Sequence, residues 1–108
     1  MEGVVEELPE GWELFDRKTK KVDGETYFFN RYINKKLKSG IIYLSGTSKK
    51  TGEKAYIVEG YGIETIDPKT FKEIASAAPI ARFEESTEEE AEKKLIELMK
   101  EYNELGYR

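Results

Sequence analysis

Apolar residues in this 108-residue chain are spaced as in strands over its first two thirds and as in a helix near its C-terminus. In the last part they recur every three or four positions, which places them on one helical face. That stripe contains Ala91, Leu95, Leu98, Tyr102 and Leu105, widened by Ile96 and Met99. Thr87 and Glu90 form a capping box before it, and Gly106 suits the position after it. The pattern predicts a helix over about residues 87–105.

Earlier in the chain, short runs rich in β-branched and aromatic residues predict four or five strands within about residues 11–66. The clearest are Gly11–Asp16, Glu25–Ile33, Ile41–Ser45 and Lys54–Gly60. Asp23-Gly24 is a strong hairpin signal, and we expect Lys18–Gly24 to form a charged turn. Residues 61–66 either continue the fourth strand past a bulge at Gly60 or begin a new one.

The segment between these strands and the long helix predicts one further helix. Asp67 can cap it, Pro68 suits its first turn, and it would run over Lys69–Ala77 before Pro79. Ile80–Phe83 is expected to be a short strand. Strands followed by helices indicate an α+β fold: an antiparallel sheet of four or five strands packed against a long C-terminal helix, with one short helix before it. Residues 1–10 form an acidic lead-in, and residues 11–108 form a single domain.

Charge is segregated along the chain. Residues 17–54 hold eleven basic and three acidic side chains, a net charge of +8, whereas the whole chain carries −4. This basic segment is also rich in Tyr and Phe. Ammonium and guanidinium groups neutralise phosphates, and exposed rings stack on unpaired bases.

We therefore expect a nucleic-acid-binding protein that uses a basic and aromatic sheet face, contacts single strands or ends, and has little base specificity. An antiparallel sheet can leave one face in water, where such a site would lie. Phe28 would supply the stacking ring if the other sheet face were used. The predicted contacts are Tyr27, Phe29, Arg31, Tyr32, Lys35, Lys36, Lys38, Lys49, Lys50 and Lys54.

Composition argues against several other classes of function. The chain has no Cys and no His, which removes thiolate chemistry, disulfides and the commonest general base and zinc ligand. We therefore expect no enzyme, no metal and no cofactor. No apolar run is long enough to cross a membrane and the N-terminus lacks a secretory pattern, so the predicted location is the cytoplasm. Abundant Lys and Glu with no Gln fit a protein from a hot environment.

Two stretches resemble known families. Leu8–Glu13 with Gly24–Asn30 is similar to the opening of a WW module, but the second Trp and the closing Pro of that family are missing, so Trp12 is expected to be a packing anchor. Residues of about 55–108 resemble a WGR-like domain, on the basis of Phe83, Ser86, Glu90-Ala91, Leu95, Met99 and Gly106-Tyr107. That resemblance implies a sheet with a long helix and DNA contact by Tyr61. The family motif would fall on Tyr61-Gly62-Ile63, where Ile63 replaces the arginine.

A second class of function remains open from the sequence. The chain could be a small interaction or accessory subunit, possibly viral, whose basic segment docks on an acidic protein surface. Ile96 and Met99 flank the helical stripe, so the helix could serve both the core and a homodimer.

Overall fold

The fold is seen in a computed structural model that describes residues 5, 7–74 and 77–106. Five antiparallel strands form one sheet in the order β1-β2-β3-β4-β5. One long helix, α1, follows them, which confirms the α+β class. The elements are β1 (Trp12–Val22), β2 (Glu25–Asn34), β3 (Ser39–Thr47), β4 (Lys54–Gly60), β5 (Ala81–Glu85) and α1 (Glu88–Gly106). Within the described residues, no helix is both long and apolar enough to span a membrane.

The first strand is longer than predicted. Asp23 and Gly24 both have positive φ, 51° and 81°, as in the two-residue turns that match the twist of a hairpin. Such a turn requires the strands to reach its two ends, and Val22 is indeed paired with Glu25. Residues 18–22 therefore belong to β1, and the expected charged turn is reduced to two residues.

The helix predicted over Lys69–Ala77 is not seen, although Ala75 and Ser76 lie outside the described residues. Asp67 does accept a hydrogen bond from the Lys69 amide at 2.9 Å, but it closes a turn and not a helix. Phe71 adopts a positive φ of 60°, and its ring is only 5% exposed. The conformation that buries this ring is left-handed at Phe71, and a right-handed helix cannot contain a left-handed residue. Likewise, β4 ends at Gly60, and residues 61–66 form no strand beyond a single bridge at Ile66.

The helix covers one face of the sheet, called here the helix face. Its buried residues are Ala91, Leu95, Leu98, Met99 and Tyr102. They pack with strand residues that include Trp12, Tyr32, Ile41, Tyr43 and Val58. The amide of Glu90 donates to Thr87 Oγ1 at 3.2 Å, which confirms Thr87 as the N-terminal cap of the helix. The prediction for Leu105 is wrong: it is 56% exposed, because the last turn places Gly106 against Leu37 instead.

Trp12 is the anchor that joins the first strand to the end of the helix. Its ring is 6% exposed and lies 5.9 Å from that of Tyr102. Its Nε1 donates to the Met99 carbonyl at 3.2 Å and to Asn103 Oδ1 at 3.1 Å. Asn103 in turn donates to the carbonyl of Glu10 at 3.0 Å. These bonds fix the helix across the sheet and satisfy buried polar groups that would otherwise be costly.

The opposite face of the sheet, called here the second face, is covered over only part of its length. The segment after β4 folds back beside the β2–β3 turn, where the amides of Thr65 and Ile66 donate to the Lys38 carbonyl at 3.0 and 2.9 Å. This places a small second core on the sheet: Ile33, Tyr61, Ile66 and Phe71, with Phe15 and Ile42 at its border.

The sheet is divided at its other end, called here the hairpin end because it holds the β1–β2 and β3–β4 turns. Pairing of β2 with β3 stops at Phe29–Leu44, although β2 continues along β1 to Glu25 and β3 continues along β4 to Thr47. Beyond that point, two side-chain hydrogen bonds connect the two hairpins in place of backbone pairing. The Phe28 amide donates to Ser45 Oγ at 3.0 Å, and Lys54 Nζ donates to the Thr26 carbonyl at 3.0 Å.

Close contact between α1 and β4 depends on Gly60. A Cβ at this position would lie 2.6 Å from Leu98 Cδ2 and 2.7 Å from the Tyr102 hydroxyl. Gly60→Ala is therefore expected to lower the free energy of unfolding by about 1–3 kcal/mol, measured by urea denaturation. Gly46→Ala, in a neighbouring strand, is the matched control, since a Cβ there meets its nearest atoms at 4.0 Å. Equal effects of the two substitutions would contradict this account of helix docking.

Candidate functional site

The uncovered part of the second face lies at the hairpin end and carries two rings and two lysines. Phe29 is 37% exposed, and Tyr27 is half-buried two positions before it on β2. Lys18 and Lys20 of β1 are both exposed. We call these four residues the ring–lysine site. Together with Leu44 they line an open groove of about 460 Å³.

Cross-strand register brings each ring beside one lysine. Lys18 is paired with Phe29, and Lys20 is paired with Tyr27. Residues directly opposite each other in an antiparallel pair lie on the same face, with Cβ atoms roughly 4.5–5.5 Å apart. A lysine and an aromatic ring therefore lie side by side at two successive positions of the sheet.

Arg31 marks the point where the cover on the second face begins. Its Nε donates to Asp16 Oδ1 at 2.8 Å, and a second nitrogen bonds Asp16 Oδ2. The guanidinium also lies 5.2 Å from the ring centre of Phe15 and 4.9 Å from that of Phe71. These hydrogen bonds from Arg31 hold the pKa of the Asp16 carboxyl below its usual value. Arg31 was predicted to contact phosphate, but its charge is already engaged within the protein.

Lys54 also differs from the free cation that was predicted. Besides its bond to Thr26, its ammonium lies 5.5 Å from the ring centre of Tyr27 and 5.6 Å from that of Tyr56. Cation–π contacts of this kind stabilise the position of a ring. Lys54 therefore holds the Tyr27 side chain at the edge of the site.

The remaining predicted lysines are divided between the two ends of the sheet. Lys49 and Lys50 are exposed in the β3–β4 turn, at the same end as the ring–lysine site. Lys35, Lys36 and Lys38 are exposed in the β2–β3 turn, six or more residues from Phe29 and hence roughly 20 Å away along the strand. Lys35 is paired there with Glu13 at 3.1 Å. The continuous basic strip expected from the sequence is thus two separate clusters.

Two residues predicted to contact nucleic acid, Tyr32 by stacking and Tyr61 from the WGR resemblance, are buried, so these two predictions are wrong. Tyr32 is 1% exposed beneath α1, because it follows Arg31 on β2 and points to the helix face. Tyr61, the residue on which the WGR resemblance places DNA contact, is 7% exposed in the second core. Its hydroxyl donates to Glu73 Oε1 at 3.0 Å, and burial raises its pKa to about 12. Phe28, the alternative ring, is 2% exposed.

Sequence reasoning missed Lys18 and Lys20, although a signal for them was present. A two-residue turn at Asp23-Gly24 forces the preceding residues into a strand, and alternation then places Lys18 and Lys20 on one face. The same alternation puts Tyr27, Phe29 and Arg31 together and separates Tyr32 from them. The residues predicted to contact nucleic acid came from both faces of the sheet because they were chosen by their order along the chain.

In the described part of the chain, no group of three or more acidic residues is placed to hold a metal ion. Burial beneath the helix raises the pKa of Tyr32 and of Tyr43, so neither hydroxyl ionises near neutral pH. Met99 was expected to serve both the core and a homodimer. It is fully buried, so it belongs to the core and offers no surface to a second copy.

Comparisons with models of protein families, with curated protein sequences and with solved structures gave no match.

The Asp16–Arg31 pair gives stability a defined dependence on pH. The folded-state pKa of Asp16 is lowered, so its contribution is complete above the unfolded-state pKa near 3.9 and is lost as pH falls through the folded value. Asp16→Asn is expected to lower the free energy of unfolding by about 1 kcal/mol at pH 7, a modest value because the pair is partly open to solvent. The difference from the unmodified protein should shrink below about pH 4.

The matched control is Glu13→Gln, which breaks a second ion pair whose side chains are 55% and 67% exposed. We expect no measurable change from it at either pH. Urea denaturation at pH 7 and pH 3 tests both variants. A loss in Asp16→Asn that is the same at the two pH values would show that the carboxylate charge does not stabilise the fold.

Proposed function

We propose that the protein binds nucleic acid through the ring–lysine site, taking single strands or exposed ends with little preference among bases. One observation carries this proposal: two partly exposed rings are each paired with an exposed lysine on the uncovered part of the sheet. Rings on an open sheet stack on unpaired bases of any identity, and the lysines neutralise the phosphates beside them.

Charge distribution supports the same assignment. Lys49 and Lys50 add two exposed cations at the hairpin end, in the β3–β4 turn. The outer surface of α1 begins with Glu88, Glu89 and Glu90, which repel phosphate. A strand of nucleic acid would therefore be attracted to the sheet and kept from the helix, even though the protein as a whole carries −4.

The apolar residues of the site explain why low base specificity is expected. Leu44 of β3 is paired with Phe29 and would lie at the edge of a stacked base. A leucine side chain offers neither a hydrogen-bond donor nor an acceptor to the edge of a base. The Tyr27 hydroxyl donates to Glu25 Oε2 at 3.2 Å and is thus already used.

Salt dependence tests the assignment directly. A fluorescently labelled 20-nucleotide oligothymidylate, followed by anisotropy, should bind more weakly as salt rises, because phosphate contacts release counterions. The double substitution of Lys18→Ala with Lys20→Ala is expected to reduce the steepness of log K against log salt by about 1.4, or about 0.7 for each lost contact with a single strand.

The control is the double substitution of Lys35→Ala with Lys36→Ala, which removes the same charge at the far end of the sheet. It should leave the steepness nearly unchanged, because charges roughly 20 Å away are largely screened at a Debye length of about 8 Å. Equal changes in the two double variants would indicate attraction by overall charge and exclude this site. An absence of binding by the unmodified protein at low salt would overturn the proposal and leave the protein-interaction class.

A further inference from the structure

The ring–lysine site repeats itself along the sheet. Lys18–Phe29 and Lys20–Tyr27 are two cross-strand pairs of the same kind, separated by two residues on each strand. Residues two apart on a strand are roughly 6.6–6.8 Å apart. The site therefore consists of two subsites, each with one ring and one lysine of β1, at that spacing.

This spacing is about twice the rise of a stacked nucleic-acid strand, which advances about 3.4 Å per nucleotide. Two neighbouring bases that remain stacked on each other cannot both lie on the two rings. They can do so only if the step between them is opened, and a Watson–Crick duplex keeps its bases stacked and paired.

Both ends of the row of rings are closed. The next residue of β2 on this face is Arg31, which is held by Asp16 and lies against the rings of Phe15 and Phe71. In the other direction the next residue is Glu25, whose carboxylate disfavours phosphate and whose partner on β1 is Val22. The row thus has room for two bases.

We propose that the site holds two consecutive nucleotides of an unstacked single strand that runs along β2. The proposal rests on the nucleic-acid function argued above and adds the number and state of the nucleotides. The phosphates lie over β1 beside Lys18 and Lys20, the bases lie on Phe29 and Tyr27, and the base edges point toward Leu44 on β3. The phosphate row and the base row then follow the strand order β1, β2, β3.

The length of the shortest good ligand tests this proposal. Competition against the labelled 20-nucleotide strand, at about 0.15 M salt to screen distant charges, measures the affinity of 5′-phosphorylated oligothymidylates of one, two, three, four and eight nucleotides. Affinity should rise roughly 5- to 150-fold from one to two nucleotides, since the second base gains its own ring. Beyond two, it should rise only in proportion to the number of two-nucleotide positions that the strand offers.

Two variants sharpen the result. Phe29→Leu keeps an apolar side chain but removes one ring. The gain in affinity from one to two nucleotides should therefore nearly vanish in this variant. Phe83→Leu is the matched control, because Phe83 is also half-buried beside a lysine, with Lys94 Nζ 5.3 Å from its ring centre, but lies on the helix face. The Phe83→Leu variant should keep the full gain in affinity from one to two nucleotides.

Each outcome bears on one proposal or the other. A gain by the same large factor for every added nucleotide up to eight, or equal affinity for a duplex of the same length, would overturn the two-nucleotide site while leaving nucleic-acid binding intact. Binding of the 20-nucleotide strand that is lost equally in Phe29→Leu and Phe83→Leu would also overturn it. No binding of any strand at low salt would overturn the function itself, and the inference with it.

Discussion

The hydrogen bonds of Trp12 and Asn103 hold the two ends of the fold together. Residues about ninety positions apart in sequence meet there, so that the helix crosses the sheet and ends beside the first strand. A meandering sheet has no crossover of its own to bring its first strand near a terminal helix, and closing so long a loop is entropically unfavourable. Once the helix is fixed, it covers one face only. Every later feature, the second core and the open site alike, lies on the face that the helix leaves uncovered.

The second face is then divided by a single boundary at Arg31. On one side, the segment after β4 buries Phe71 and Ile66 against the sheet, and Gly40 allows this because a Cβ there would lie 2.5 Å from the Phe71 ring. On the other side, Phe29 and Tyr27 stay open beside their lysines. The Asp16–Arg31 pair sits between the two regions, with its charge neutralised and its plane packed on rings. The covered half adds a second core to the sheet, and the other half stays open.

The sequence predicted the long helix, its cap, the class of fold and the role of Trp12, because each depends on local spacing or on one large side chain. The prediction of the short helix was wrong because burial of Phe71 in the second core requires a backbone conformation that local propensity disfavours. The site was predicted only in part. Tyr27, Phe29 and the lysines of the β3–β4 turn lie at the hairpin end, but Tyr32 and Tyr61 are buried and Lys35, Lys36 and Lys38 lie at the far end. Linear charge counts cannot tell one end of a sheet from the other, and β2, buried on both faces near Asn34, lacks a clean alternation.

The early end of β2–β3 pairing has a consequence for motion. Beyond Phe29 and Leu44 the sheet becomes two fingers, joined by the Ser45 hydroxyl, the Lys54 ammonium and the packing of Phe28 on Tyr43 and Tyr56, and not by backbone ladder bonds. A side-chain tie can open and close again without unzipping either hairpin, whereas widening a continuous ladder would break several backbone bonds at once. The spacing of the two fingers is therefore set by side-chain contacts and not by a backbone ladder. One finger carries both rings and both lysines of the open groove, so the width of the groove depends on those side-chain contacts.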